Sequence, residues 1–114
     1  MNKEQLKAKI EIENIDLDIS VGAFDNGKLV GFILHGFRRI NGRNLVYNGG
    51  TGVLPEKRGN NLTIRMYNFI LPFFHKLKIH SLQLEVISNN LYAINAYKKV
   101  GFSYLRACLK IFIF

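Results

Sequence analysis

The stretch Gly52-Val53-Leu54-Pro55-Glu56-Lys57-Arg58-Gly59-Asn60-Asn61-Leu62 (GVLPEKRGNNL) is where the hydrophobic period of this chain changes. Before it, residues 43–54 (RNLVYNGGTGVL) read as a strand. After it, Leu62, Met66, Phe69, Ile70, Phe73, Phe74 and Leu77 recur at steps of three and four, the stripe of a helix buried on one face. Pro72 falls inside that stripe, and a kink is expected there because it removes one backbone hydrogen bond. Residues 81–87 (SLQLEVI) then alternate like a strand, with Leu82, Leu84 and Val86 on one face. A strand, a crossover helix and a second strand form a right-handed βαβ unit with parallel, neighbouring strands.

Working back toward the N-terminus, Asn41-Gly42 and Asn26-Gly27 are tight-turn dipeptides that supply the positive φ of type I′ hairpins. They divide SVGAFD, KLVGFILHGF and the strand at 43–54 into an antiparallel meander. Residues 3–14 fit an amphipathic helix. Working forward, Ala93, Ala96, Tyr97 and Val100 repeat at helical spacing before a capping Gly101, and SYLRACLKIFIF reads as one last strand. The expected fold class is therefore α/β, α+β-like: a three-strand meander followed by a βαβ unit in one mixed sheet, with helices on both faces. Residues 1–114 read as a single domain, without repeats or linkers.

The wider composition excludes several classes. At 48% apolar and 21% charged residues the chain is globular rather than disordered or fibrous. No apolar run reaches membrane-spanning length, and the start, MNKEQLKAKIEIE, has no signal-peptide core, so no membrane partner and a cytoplasmic location are expected. One cysteine and three scattered histidines give neither a disulfide framework nor a metal site. The net charge of +8 is uneven, because residues 1–25 hold six of the eight acidic residues. The basic remainder would attract a polyanion, so a nucleic-acid-binding protein is one reading, although no RNA-reading aromatic motif is present.

In an open α/β sheet the ligand sits at the carboxyl ends of strands, which here is the opening stretch. Residues 57–63 join a strand end to a helix start, where unpaired N–H groups and the dipole make a phosphate seat, with Lys57 and Arg58 adding charge. An ordinary turn with an asparagine N-cap fits the same residues. No Gly-Lys-Ser/Thr follows, so it is not a P-loop.

Two motifs add to this reading. Val53-Leu54-Pro55 followed by Arg58-Gly59-Asn60-Asn61-Leu62-Thr63 resembles the acyl-coenzyme A signature of the GNAT superfamily of N-acetyltransferases. Asn90, Ala93, Tyr97, Gly101 and Phe102 match its Asn-x-x-Ala-x-x-x-Tyr-x-x-x-Gly-Phe motif. The resemblance spans residues 3–108. It implies a GNAT-like fold without the family's usual first strand and helix, with acetyl-CoA as cosubstrate and no metal. The acceptor would be an amine-bearing small molecule or a protein or peptide. Pyrophosphate would lie on the amides after Arg58, at Gly59, Asn60, Asn61, Leu62 and Thr63. Backbone groups of Val53 and Leu54 would pair with the pantetheine arm, which Asn90 would also contact beside Ala93. Tyr97 would be the general acid, and Glu85 is a candidate base. Asn61 stands for the family's loop glycine and Thr63 for its next small residue; Asn61 and the short N-terminus make a CoA-binding module without a competent acceptor site the alternative.

Among the remaining residues, His35 could face the acceptor side, its simpler reading being a partly exposed sheet histidine. His75 and His80 read as structural, and Cys108 as a buried hydrophobe. The family pattern leads one to expect one more strand after the last. With Leu109, Ile111 and Ile113 forming an open terminal edge, a homodimer is expected.

Overall fold

The computed structural model describes residues 2–85, 91–105 and 108–112. A helix, α1 (Lys3–Ile12), is started by a capping box in which Asn2 and Gln5 exchange side-chain and backbone hydrogen bonds of 2.8 and 2.9 Å. Strands β1 (Val21–Asp25), β2 (Lys28–Ile40) and β3 (Arg43–Val53) form the antiparallel meander. Its turns carry the expected positive φ at Asn26, Gly27, Asn41 and Gly42. Helix α2 (Leu62–Lys76) runs unbroken through Pro72 and leads to β4 (Ser81–Glu85), parallel to β3. After α3 (Leu91–Val100) come β5 (Ser103–Leu105) and β6 (Cys108–Phe112), completing a six-stranded mixed sheet in the order β1-β2-β3-β4-β6-β5.

The last strand is a correction to the sequence reading. Residues 103–105 and 108–112 form two antiparallel strands, and β6 inserts between β4 and β5. Leu109 and Ile111 therefore belong to an interior strand, and the open edges are β1 and β5. A homodimer argued from an exposed β6 loses its basis. The split also supplies the further strand the family pattern leads one to expect.

The helices lie on opposite faces of the sheet. Val46 packs with Phe74 of α2 in the core, whereas the neighbouring Tyr47 donates its hydroxyl to the Glu13 carbonyl at the end of α1. The α2 stripe is rotated from the expected one. Met66, Tyr67, Ile70 and Phe74 are buried, while Phe69 is 74% exposed and Phe73 and Leu77 are partly exposed. Apolar residues surround most of this helix, and the sheet selects the face that carries Tyr67.

His35 is a second correction. It is fully buried on the α2 face, edge-on to Tyr67 and Phe74, with ring centroids 5.9 and 5.2 Å away. Its Nδ1 lies 2.9 Å from the Ile19 carbonyl. It faces no acceptor.

The α3 terminus accounts for a motif physically. Gly101, at φ 120°, donates to the Lys98 carbonyl and Phe102 donates to that of Tyr97, at 3.0 and 3.2 Å. This is a Schellman cap, which brings the buried Phe102 ring to 5.6 Å from the Tyr97 ring. The spacing Tyr-x-x-x-Gly-Phe is thus a device for fixing Tyr97.

Candidate functional site

Strands β3 and β4 part company. Their parallel register runs from Leu45 opposite Ser81 to Tyr47 opposite Gln83, yet β3 continues to Val53 and β4 to Glu85. Over Asn48–Val53 the β4 side of β3 has no partner among the described residues. A bulge against Leu34 and His35 of β2, where Gly49 is the extra residue, begins this free stretch.

At one end of the free edge lies the loop into α2. A single 3₁₀ turn (Pro55–Lys57) leads to Gly59 at φ 86° and to Asn61 in the left-handed region, φ 55° and ψ 30°. Asn61 holds the N-cap position but makes no side-chain cap. Only with Arg65 donating to Asn61 O at 2.9 Å does the helical ladder start. Among the described residues, no acceptor takes the amides of Gly59, Asn60, Asn61, Leu62, Thr63 or Ile64. These amides open onto a hollow of about 320 Å³ lined by Val53, Arg58, Gly59, Asn61, Leu62 and Thr63, among others. The side-chain cap that the sequence also allowed would have taken one of them and is not made. Free amides at a helix start suit an anion.

The charges differ from expectation. Lys57 pairs with Asp25 at 2.5 Å, and this bond holds the aspartate below the usual carboxylate range. Arg58 Nε donates to the Val53 carbonyl at 3.2 Å, so its guanidinium lies between strand end and amides. Val53 thus turns its carbonyl to the open side. Leu54 does not: its amide donates to Val30, and its carbonyl accepts from Lys57 N, both at 2.9 Å. The Leu54 backbone is engaged by other main-chain groups, whereas the Val53 carbonyl faces the open side and is held only by the Arg58 side chain.

At the other end of the free edge, Tyr97 stands over a second hollow of about 280 Å³, with Asn48, Gly49, Gly50, Thr51 and Leu84. A polar network underlies it. Gly50 N donates to Asn48 Oδ1 at 2.8 Å, which fixes the amide, and Asn48 Nδ2 donates to Thr51 Oγ1 at 2.8 Å and to Tyr67 Oη at 2.6 Å. Thr51 lines this hollow beside Tyr97. Burial pushes the Tyr97 hydroxyl above its ordinary pKa, the nearby Thr51 hydroxyl opposing, so the phenol is protonated at neutral pH. Tyr67, more deeply buried, is shifted up in the same sense.

Asn48, Thr51 and Tyr67 were not among the sequence candidates. The available signal was Asn-Gly-Gly-Thr inside a strand, a composition that marks a bulge or an unpaired edge. Of the other candidates, Glu85 ends β4 with its backbone paired to Cys108, and Ala93 lies in α3. Asn90 lies outside the described residues. His80 is structural, its Nδ1 accepting from Asn44 N at 2.8 Å. The described residues contain no cluster able to hold a metal, and no helix long and apolar enough to cross a membrane.

Comparison with known proteins agrees with this architecture. The model of the acetyltransferase (GNAT) family matches residues 2–102. The chain belongs to the GNAT family. Among solved structures, yncA from Salmonella typhimurium, described with its cofactor acetyl-CoA, superimposes with a TM-score of 0.79 at 15% identity, covering 100% of this chain and 75% of that one. The ribosomal-protein-S18-alanine N-acetyltransferase from Escherichia coli gives 0.72 at 16% identity, over 99% and 90%. Arabidopsis thaliana Naa50, in complex with the bisubstrate analogue CoA-Ac-MVNAL, gives 0.70 at 27% identity, over 96% and 79%. No curated protein matches the chain by sequence. The GNAT fold thus holds a mixed sheet with a parted strand pair, an amide-lined helix start and a tyrosine facing the gap.

Proposed function

We propose that this GNAT chain is an N-acyltransferase that moves an acetyl group from acetyl-CoA to an amine. The observation that carries this is the continuity of the free β3 edge. It runs for about 17 Å of strand from the Tyr97 hollow to the unpaired amides. An extended chain ending in a pyrophosphate fits such a track, adding to β3 as a strand would. The amides of residues 59–64 would hold the phosphates, with Arg58 beside them, and Val53 would pair with the arm. Relatives with acetyl-CoA or a CoA conjugate in their structures support the same ligand.

When bound, acetyl-CoA supplies an activated acyl group on a thiol leaving group. Tyr97 is our general acid. Burial keeps its hydroxyl protonated, so Tyr97 has a hydrogen to give to the departing sulfur, with Thr51 beside it in the hollow. The acceptor amine must lose a proton before it attacks, since a lysine-type amine has a pKa near ~10.4. Glu85, ending β4 at the gap, is the carboxylate we assign to take that proton.

The test is release of free thiol from acetyl-CoA in the presence of an amine panel, for the parent and for Tyr97→Phe. The expected loss in kcat is on the order of 10²-fold or more, with acetyl-CoA affinity unchanged because the hydroxyl acts on charge developing during the reaction. Equal turnover would reduce Tyr97 to a core residue. Tight acetyl-CoA binding with no thiol release for any amine would leave the second reading, a binding module on the same fold.

A further inference from the structure

On the sheet face away from α2, a cleft of about 320 Å³ opens between α1 and the strands, lined by Glu13, Arg38, Leu45, Tyr47, Asn48 and Gln83, among others. It shares Asn48, Gly49 and Leu84 with the hollow under Tyr97, so the two adjoin at the parted strands. Its walls are held in place. The Tyr47 ring lies across Gly36, where a Cβ would come within 2.2 Å of Tyr47 Cζ, and its hydroxyl is tied to the Glu13 carbonyl. The Arg38 guanidinium is stacked over this ring at 4.9 Å from the centroid.

The charges in the cleft are not balanced. The Glu13 carboxylate is paired with Lys9. Arg38 is exposed and makes no ion pair among the described residues. Arg43 lies further along: Arg38 registers with Leu45 and Ile40 with Arg43, and residues 43, 45 and 47 share one strand face. The second cation is therefore about 7 Å beyond the first in the direction away from Tyr97. A planar, stacked guanidinium is pre-oriented to take a carboxylate in a bidentate pair.

We infer that the acceptor is an anionic amine, whose carboxylate is received by Arg38 while its amine reaches the gap beside Tyr97. This rests on the N-acyltransferase reading and narrows its substrate class. Two sources carry that chemistry: a free acidic amino acid, and a polypeptide that begins with acidic residues.

Calorimetric binding to the protein saturated with CoA separates the cases without requiring turnover. The probes are free glutamate and tripeptides with free amino termini, Glu-Glu-Ala, Ala-Ala-Ala and Lys-Lys-Ala. Glu-Glu-Ala should bind at least ~10-fold more tightly than Ala-Ala-Ala, with Lys-Lys-Ala weakest, consistent with a charge-assisted pair. Arg38→Gln should abolish that preference, Arg38→Lys should restore part of it, and neither should change CoA affinity. Glutamate binding as well as the acidic tripeptide would point to an amino acid, and much weaker binding to a polypeptide. Charge-blind binding, no binding, or a preference that survives Arg38→Gln would overturn the inference. Thiol release with the same tripeptides addresses the reading beneath it. Charge-selective binding without transfer would sink the acyltransferase and keep the anionic ligand, whereas transfer indifferent to charge would do the reverse.

Discussion

Asn61 enters α2 from the left-handed region, a conformation that asparagine tolerates better than other residues bearing a Cβ. The loop geometry a family glycine would provide is therefore kept. The cost is a side chain that is exposed, caps nothing and projects near the amides it precedes. Asn61→Gly should bind acetyl-CoA about fivefold more tightly, roughly 1 kcal/mol, because the backbone can then approach the phosphates closely. Calorimetric titration of both proteins measures this. Weaker binding by the glycine variant would mean that the Asn61 amide is itself a phosphate ligand. At this scale the sequence showed the motif residues but not Asn48 or Tyr67. Their bond joins positions 19 residues apart, and no local pattern encodes which helix residue a bulged strand will meet.

At the scale of elements, both hairpins were legible because Asn-Gly fixes its own turn, and α3 because Gly101 fixes its cap. The break between β5 and β6 was not. The intervening Arg106-Ala107 contains none of the turn-forming residues, and the flanking apolar residues read equally well as one strand. The docking face of α2 was misread for a related reason: a helix with phenylalanines on several sides leaves the choice to the sheet. One element-level demand remains testable at Gly36. A Cβ there would overlap the Tyr47 ring, which the α1 end and the Arg38 stack hold in place. Gly36→Ala should cost about 1–3 kcal/mol. In a domain of this size each kcal/mol lowers Tm by roughly 4 °C. An unchanged melting temperature would show that Tyr47 is free to move aside.

Over the whole molecule, stability depends on pH through His35. Burial pulls its pKa from 6.5 to about 4, with the Ile19 hydrogen bond opposing, and Nε2 has no partner. The folded imidazole stays neutral while the unfolded chain takes up a proton below pH 6.5. Stability is therefore lost as pH falls through the window from 6.5 to about 4, and this group adds no further loss below it. Between pH 7 and pH 4.5 the expected loss is about 2–3 kcal/mol, read from denaturant unfolding at the two values. Equal stability would mean that the protonated ring is accommodated in the core.

The central claim is that the amides opening α2 and the free edge of β3 form one acetyl-CoA track. Hydrogen–deuterium exchange resolved by residue, with and without saturating acetyl-CoA, addresses it most directly. Slowing of exchange concentrated at Gly59–Ile64 and along residues 48–53, with the β1–β2 hairpin unchanged, is the predicted result. Binding that leaves those amides exchanging as before, or that protects a different surface, would contradict it.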